Sequence, residues 1–174
     1  IATGATGVAF GFPTQVLSSS GPSGPAYWRS INELVGVTQS APPYLTAVGY
    51  GAGGDTGSGS NNTAFGYQAY GSGASGALNN TCIGYNAGRN LSTGTYDTFI
   101  GSRAGGFSRV DNYVTAIGAG AYDMASGDRN TCIGHNANYS NYGINNVAIG
   151  DSAIAQNAAK YVDNCIAIGN NALF

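Results

Sequence analysis

A short motif recurs eight times between Tyr44 and Phe174 at nearly constant spacing. In each copy a Gly is preceded by Val, Ile or Phe and followed three positions later by Ala. The successive glycines are 17, 18, 17, 17, 16, 16 and 19 residues apart: Gly49, Gly66, Gly84, Gly101, Gly118, Gly134, Gly150 and Gly169. We number the repeats 1 to 8 from these glycines and give each residue its offset from the glycine of its repeat. A fixed period of this length predicts a solenoid, in which each repeat stacks on the next.

The residues before each glycine predict one short strand per repeat. Position −1 is Val, Ile or Phe and position −3 is mostly Thr, which favours a strand, and the apolar run is too short for a helix. We expect the glycine to end this strand where the chain needs a positive φ or a close backbone approach. Upstream, Asn and Asp predict a turn in which their side chains bond the local backbone. These residues are Asn61, Asn62, Asn79, Asn80, Asp97, Asn130, Asn145, Asn146 and Asn164.

Both faces of each predicted strand are apolar. Side chains at −1 and −2 point in opposite directions, so both faces require burial. We assign the −1 column, with the Ala column at +3, to the solenoid interior, and the −2 column to an interface between copies of the chain. None of the 14 charged residues lies between −3 and the glycine. A closed homo-oligomer is expected, with these interface residues: Ala47, Ala64, Cys82, Phe99, Ala116, Cys132, Ala148 and Ala167.

The first 43 residues lack the motif and form a separate region. They are rich in Gly, Ser and Pro, and Pro42 and Pro43 mark the boundary with the array at 44–174. We expect a small irregular β region and a connector here, with residues 26–35 fitting either a helical turn or a strand. The sequence has neither an initial Met nor a signal peptide, so we interpret it as a piece of a longer protein.

Composition excludes several classes of function. Only 8% of the residues are charged, the net charge is −2 and 43% are hydrophobic. The charge is too small to predict nucleic acid or an anionic membrane surface as partner, and the hydrophobic content argues against disorder. No apolar run approaches the roughly 18 residues of a membrane span. We therefore expect no nucleic-acid partner, no membrane insertion by this segment and no cofactor.

Residue types that carry chemistry are few and scattered. Cys82 and Cys132 are three repeats apart, about 14 Å in a stack with about 4.8 Å spacing, so they are predicted to fill small buried positions rather than to form a disulfide. His135 is the single His, and its +1 position holds unrelated residues in other repeats. The acidic residues show no paired arrangement of the kind that glycoside hydrolysis requires. We expect no catalytic residues and no metal site.

At these motifs the sequence resembles known surface proteins. The segments NNTAFGYQA (61–69), NNTCIGYNA (79–87) and NNVAIGDSA (145–153) resemble the head repeats of trimeric autotransporter adhesins. They are also similar to the NNTAxGYxA arrays of bacteriophage tail fibres and of tail-fibre-like bacterial adhesins. Residues 15–28, QVLSSSGPSGPAYW, resemble a linker found upstream of such arrays. The resemblance implies an all-β, homotrimeric, left-handed parallel β-roll of about eight coils.

This resemblance implies a non-enzymatic adhesin or fibre segment at a cell or virion surface. The expected ligand is a glycan or envelope component of a host or prey cell, and a purely structural shaft spacer remains the alternative. Aromatic residues near the linkers are the candidate contacts, although each ring could instead pack within the protein. The Thr column also suggests ice binding, which we do not expect because −3 shares the face assigned to the interior. The candidate ligand residues are Tyr96, Phe107, Tyr113, Tyr122, Tyr139, Tyr142 and Tyr161.

Overall fold

The computed structural model describes residues 15–19, 26–30, 38–40, 44–54, 59–71, 76–108, 110–154 and 161–173. Within these ranges the chain is all-β and contains no helix. Strands β1 (Gln15–Ser19) and β2 (Ala26–Ser30) form an antiparallel two-stranded sheet, so a strand rather than a helical turn begins at Ala26. The other nine strands form a single sheet in sequence order.

The nine-stranded sheet contains the strand of every repeat. Strand β3 (Thr38–Ser40) pairs antiparallel with β4, and all later neighbours are parallel. Partners across the sheet have the same offset in successive repeats, as in Thr63 with Thr81. The predicted parallel β-solenoid with one strand per repeat is therefore confirmed. The eight parallel strands are β4 (Leu45–Val48), β5 (Asn62–Phe65), β6 (Thr81–Ile83), β7 (Thr98–Ile100), β8 (Thr115–Ile117), β9 (Thr131–Ile133), β10 (Val147–Ile149) and β11 (Ile166–Ile168).

The motif glycine ends each strand for both of the predicted reasons. Its φ lies between 125° and 134° in all eight repeats, a region that side chains rarely adopt. A Cβ at Gly101 would lie 2.5 Å from the carbonyl oxygen of Gly118, and the preceding glycines show the same conflict with the next repeat. The repeats therefore stack so closely at this corner that no side chain fits between them.

The predicted Asn-rich turn is divided between two positions with different roles. In repeats 2 to 8, residues at −5 adopt the left-handed conformation, with φ between 55° and 61°, which Asn tolerates well. The members of this column are Asn61, Asn79, Tyr96, Tyr113, Arg129, Asn145 and Asn164. Residues at −4 instead point inward and are buried, except for the half-buried Cys165. The expectation that these inward side chains bond their own backbone is wrong.

The buried −4 amides link successive repeats. The backbone N–H of Asn80 donates to Asn62 Oδ1 at 2.8 Å, and that of Asp97 donates to Asn80 Oδ1 at 2.8 Å. Each amide also donates to a carbonyl of the next repeat, from Asn62 Nδ2 to Ala77 at 2.9 Å and from Asn80 Nδ2 to Gly94 at 2.8 Å. The same pattern recurs at Asn130 and Asn146. This column satisfies buried backbone groups that would otherwise lack partners.

The assignment of the two strand faces was wrong. Every −2 side chain is buried within a single chain, with an exposed fraction between 0% and 5%, while the −1 side chains lie on the outside. The residues predicted to form the subunit interface therefore build the core: Ala47, Ala64, Cys82, Phe99, Ala116, Cys132, Ala148 and Ala167. The Ala residues at +3 are interior as predicted, with Ala69 and its successors to Ala153 fully buried. Cys82 and Cys132 are free, buried thiols, which confirms their predicted role.

The sizes of the residues at −2 and +4 explain why −2 faces inward. Where −2 is Ala64 or Ala116, position +4 is Tyr70 or Tyr122, and both rings are buried. Where −2 is Phe99, position +4 is glycine. A Cβ at Gly105 would lie 2.5 Å from the Phe99 ring. The two positions therefore fill one shared space inside each repeat, and a large residue at one requires a small residue at the other.

We predict strong coupling between Phe99 and Gly105. Phe99→Ala should lower the free energy of unfolding by about 3–5 kcal/mol because it leaves a cavity. Gly105→Tyr alone should also destabilise, since the new ring would overlap Phe99. Combining the two recreates the Ala and Tyr pair of repeats 2 and 5, so the double variant should be more stable than Phe99→Ala alone. Denaturant unfolding of the four proteins measures this coupling, and strictly additive effects would show that the two sites do not share a space.

Asp97 is the single carboxylic acid among the described residues of the −4 column. Its Oδ1 accepts the Val114 N–H at 2.8 Å, but Oδ2 is buried without a hydrogen-bond partner. Burial raises the pKa of Asp97 from 3.8 to about 8, against the effect of the Val114 hydrogen bond, and Asp111 and Asp128 raise it further. A Cβ at Gly94 would contact both Asp97 Oδ2 and the Asp111 carbonyl oxygen, so these two oxygens lie close together. At this offset, the amide of an Asn side chain would donate a hydrogen bond to that carbonyl.

We predict that Asp97 makes stability fall as the pH rises. Between about pH 4 and pH 8 the folded chain keeps a proton that the unfolded chain has lost, so the free energy of unfolding should decrease across this window and level off above it. Asp97→Asn should flatten the slope and stabilise the chain at pH 7 by roughly 1–3 kcal/mol. The reciprocal Asn80→Asp should destabilise at pH 7 and less at pH 4. Thermal unfolding of all three proteins across pH tests this, and an unchanged slope in Asp97→Asn would refute it.

Candidate functional site

The outward side of the parallel strands forms one continuous surface, which we call the strand face. It consists of the −1 and −3 columns of all eight repeats. Phe65 is 55% exposed, Ile133 38% and Ile168 66%. The −1 members are Val48, Phe65, Ile83, Ile100, Ile117, Ile133, Ile149 and Ile168, and the −3 members are Thr46, Thr63, Thr81, Thr98, Thr115, Thr131, Val147 and Ile166.

The −1 column of the strand face is apolar, its −3 column is mostly Thr, and neither column carries a charged residue. Exposed apolar residues occur singly on most soluble proteins, whereas contiguous apolar patches mark interaction sites. Here the residues of each column lie side by side on hydrogen-bonded strands, so their apolar surfaces are continuous. The −1 column is therefore a continuous apolar surface that lies on the outside of the single chain.

Ice binding was not expected because the Thr column at −3 was assigned to the interior. The structure places this column on the outside, so that reason no longer applies. Thr46 and Thr63 are exposed, and the next four Thr residues are half-buried. The column is not uniform, however, because Val147 and Ile166 replace Thr in the last two repeats. The exposed Phe65 ring also interrupts the neighbouring −1 column. This irregular apolar surface fits a protein partner better than a regular array of water.

Stacked tyrosines border the strand. In the +1 column, Tyr50 stacks on Tyr67 with ring centroids 5.6 Å apart, and Tyr67 stacks on Tyr85 at 5.3 Å. In the −5 column, Tyr96 and Tyr113 stack at 5.2 Å with an interplanar angle of 4°. In-register stacking places identical residues of successive repeats in contact, which produces these pairs. The +1 stack was not among the candidate sites, although Tyr recurs at +1 in repeats 1 to 3.

The structure separates the predicted ligand residues into several groups. Tyr96, Tyr113, Tyr142 and Tyr161 have exposed rings, and Tyr142 and Tyr161 meet at 6.0 Å with a tilt of 44°. Tyr139 is half-buried, whereas Phe107 is 51% exposed and lines a depression.

Tyr122 is wrongly predicted as a ligand contact. It is fully buried at +4 and its hydroxyl donates to the Gly127 carbonyl at 2.5 Å. Burial raises its phenol pKa strongly. Its position opposite the small Ala116 explains why it packs in the core.

A surface contact joins two ionisable side chains of adjacent repeats. His135 Nδ1 lies 3.2 Å from Asp151 Oδ1 at the surface, because both occupy +1 in adjacent repeats. Hydrogen bonds from Ser152 and His135 lower the pKa of Asp151. No group of three or more His, Cys, Asp or Glu side chains is placed to bind a metal within the described ranges. Among these same residues, no helix has the length and apolar character needed to cross a membrane.

Comparison with known proteins adds no further assignment. No protein-family model matches the chain, and searches of curated proteins and of solved structures find no match either.

Proposed function

We propose that the chain is a non-enzymatic segment of a homotrimeric fibre or adhesin at a cell or virion surface. In this proposal each chain contributes about eight stacked coils and the trimer presents a surface that binds a glycan or another envelope component of a host or prey cell. The observation that carries the proposal is the continuous, uncharged strand face. The resemblance of the repeats to trimeric adhesin heads and tail-fibre arrays supports the same reading.

Three copies of the chain are the proposed cover for the strand face. Each copy of the chain has the same apolar column. In a closed symmetric oligomer this column is buried in every copy, so none of them remains exposed to water. A hydrophobic interface of this kind is typical of obligate oligomers. In this arrangement the interface between chains consists of the −1 and −3 columns, whereas we had predicted an interface of the −2 column from the sequence.

We predict that a single charge on the strand face dissociates the oligomer without unfolding the chain. Ile133→Arg should give a folded monomer, since a guanidinium would be buried without a partner between copies. Asn136→Arg in the same repeat should keep the oligomer. Asn136 occupies +2, and the +2 residue of repeat 4 is already an Arg, Arg103, whose φ of 59° is close to the 52° of Asn136. Cys132→Arg should instead unfold the chain, because it places the charge in the core.

Light scattering and circular dichroism distinguish these outcomes. Light scattering gives the mass of each variant, and circular dichroism shows whether it is folded. If Ile133→Arg keeps the mass of the native particle, the strand face is not the interface. If native and Ile133→Arg proteins are both monomers and the native protein depresses the freezing point, the strand face binds ice instead.

Receptor binding is the second part of the proposal. The exposed Tyr columns supply rigid aromatic surface for sugar rings or protein contacts, and they recur on every chain of a trimer. Linked sites raise the apparent affinity for a multivalent ligand by about 10²–10⁴. A regular shaft that only spaces other domains is the second candidate, favoured by the uniform stacking of the repeats.

We predict that binding to immobilised glycans depends on the oligomer. The native chain and Asn136→Arg should both bind members of a bacterial polysaccharide array, whereas monomeric Ile133→Arg should bind at least about 100-fold more weakly. Surface plasmon resonance on the positive polysaccharides measures the difference. A native oligomer that binds no glycan and no intact bacterial cell would refute receptor binding and leave the spacer function.

A further inference from the structure

A depression of about 280 Å³ crosses repeats 3 to 5 on the side of the solenoid that follows the motif glycine. Its lining includes Asn86, Arg89, Arg103, Gly106, Phe107 and Asp123. Pockets for small ligands begin at about 300 Å³, so this depression has the size for one small ring rather than for a larger ligand.

The depression exists because one side chain is missing from a column. Arg89, Gly106 and Asp123 all occupy +5 in three successive repeats. Gly106 therefore leaves a gap between two long or polar side chains. A Cβ at Gly106 would overlap Asp123 Oδ1, so even an alanine would fill the space. The φ of Gly106 is not in the positive range, so its backbone does not require glycine.

Two buried oxygens at this depression lack hydrogen-bond donors. Asp123 is fully buried, and its Oδ1 has no partner, while Arg103 forms an ion pair with Oδ2 at 2.8 Å. Asn86 is 9% exposed and its Oδ1 also has no partner. Burial raises the pKa of Asp123 and the Arg103 guanidinium opposes this shift. Buried acceptors without donors are rare and costly, so a ligand that donates hydrogen bonds would be favoured here.

The remaining lining completes the chemistry of a sugar site. The Phe107 ring is 51% exposed and offers an apolar face, and Arg103 is half-exposed with N–H groups that can donate to ring or hydroxyl oxygens. A phosphate or carboxylate ligand would match the guanidinium but would offer no donor to Asn86 and Asp123. A pyranose supplies hydroxyl donors, oxygen acceptors and an apolar C–H face together.

We propose that this depression binds a single pyranose residue of a glycan, with its hydroxyls donating to Asp123 Oδ1 and Asn86 Oδ1 and its ring against Phe107. This inference deepens the proposed receptor-binding function and rests on it. The site would occur once per chain, because other repeats have a different combination of residues at +2, +5 and +6.

The test uses methyl glycosides of glucose, galactose, mannose and N-acetylglucosamine as probes. Saturation-transfer difference NMR on the native oligomer should show binding of at least one probe. Gly106→Ala, which fills the gap, and Phe107→Ala, which removes the ring, should each weaken that binding at least tenfold. Val110→Ala, which removes an exposed apolar side chain outside the depression, is the matched control and should leave binding unchanged. Circular dichroism and particle mass confirm that each variant keeps the native fold and assembly.

Three outcomes would overturn the proposed site. If no probe binds but the native oligomer binds polysaccharides, the receptor surface lies elsewhere and the broader function stands. If probe binding survives both Gly106→Ala and Phe107→Ala, the pyranose site is outside this depression. If neither probes nor polysaccharides bind, both the site and the receptor-binding function fail.

Discussion

In-register stacking of the backbone is the constraint on which the rest of this structure depends. Each strand pairs with the same offset in the next repeat, so every position meets copies of itself above and below. A residue type that is favourable at one offset is therefore favourable along the whole stack. This explains why glycine, alanine and asparagine recur at fixed offsets, whereas the linkers between the motifs vary.

The stack also determines which residues meet water. The interior is narrow, and −2 and +4 share one space in each repeat, so a ring at one position requires a small residue at the other. The outward −1 column has no such restriction and holds the larger Val, Ile and Phe side chains. The single chain buries one face of its strands, and the strand face remains on the outside. The core thus forms within one chain, and the assembly is proposed to depend on the other face.

The sequence predicted the architecture because the signals for it are local and repeated. The glycine period, the short β-branched strands and the corner turns follow from backbone preferences that act within one repeat, and the structure confirms them. The orientation of the strand was wrong because −1 and −2 are both apolar, and alternation alone does not say which faces inward. A large residue at −2 is paired with a small one at +4 in Phe99 and Gly105, and the reverse holds for Ala116 and Tyr122. This pairing in the sequence would have indicated that −2 faces inward and that Tyr122 is buried. The depression at Gly106 was missed because it is formed by residues of three separate repeats.

The −2 column belongs to the core of a single chain. Thiol labelling of the folded chain across a dilution series tests this most directly, because Cys82 and Cys132 lie in that column while Cys165 is half-buried at −4. Burial raises the pKa of Cys132 to about 12, which further suppresses its reaction with a maleimide. We expect Cys165 to be labelled first, and Cys82 and Cys132 to stay protected at every protein concentration. Protection of Cys82 and Cys132 that disappears on dilution, while the chain remains folded, would contradict it.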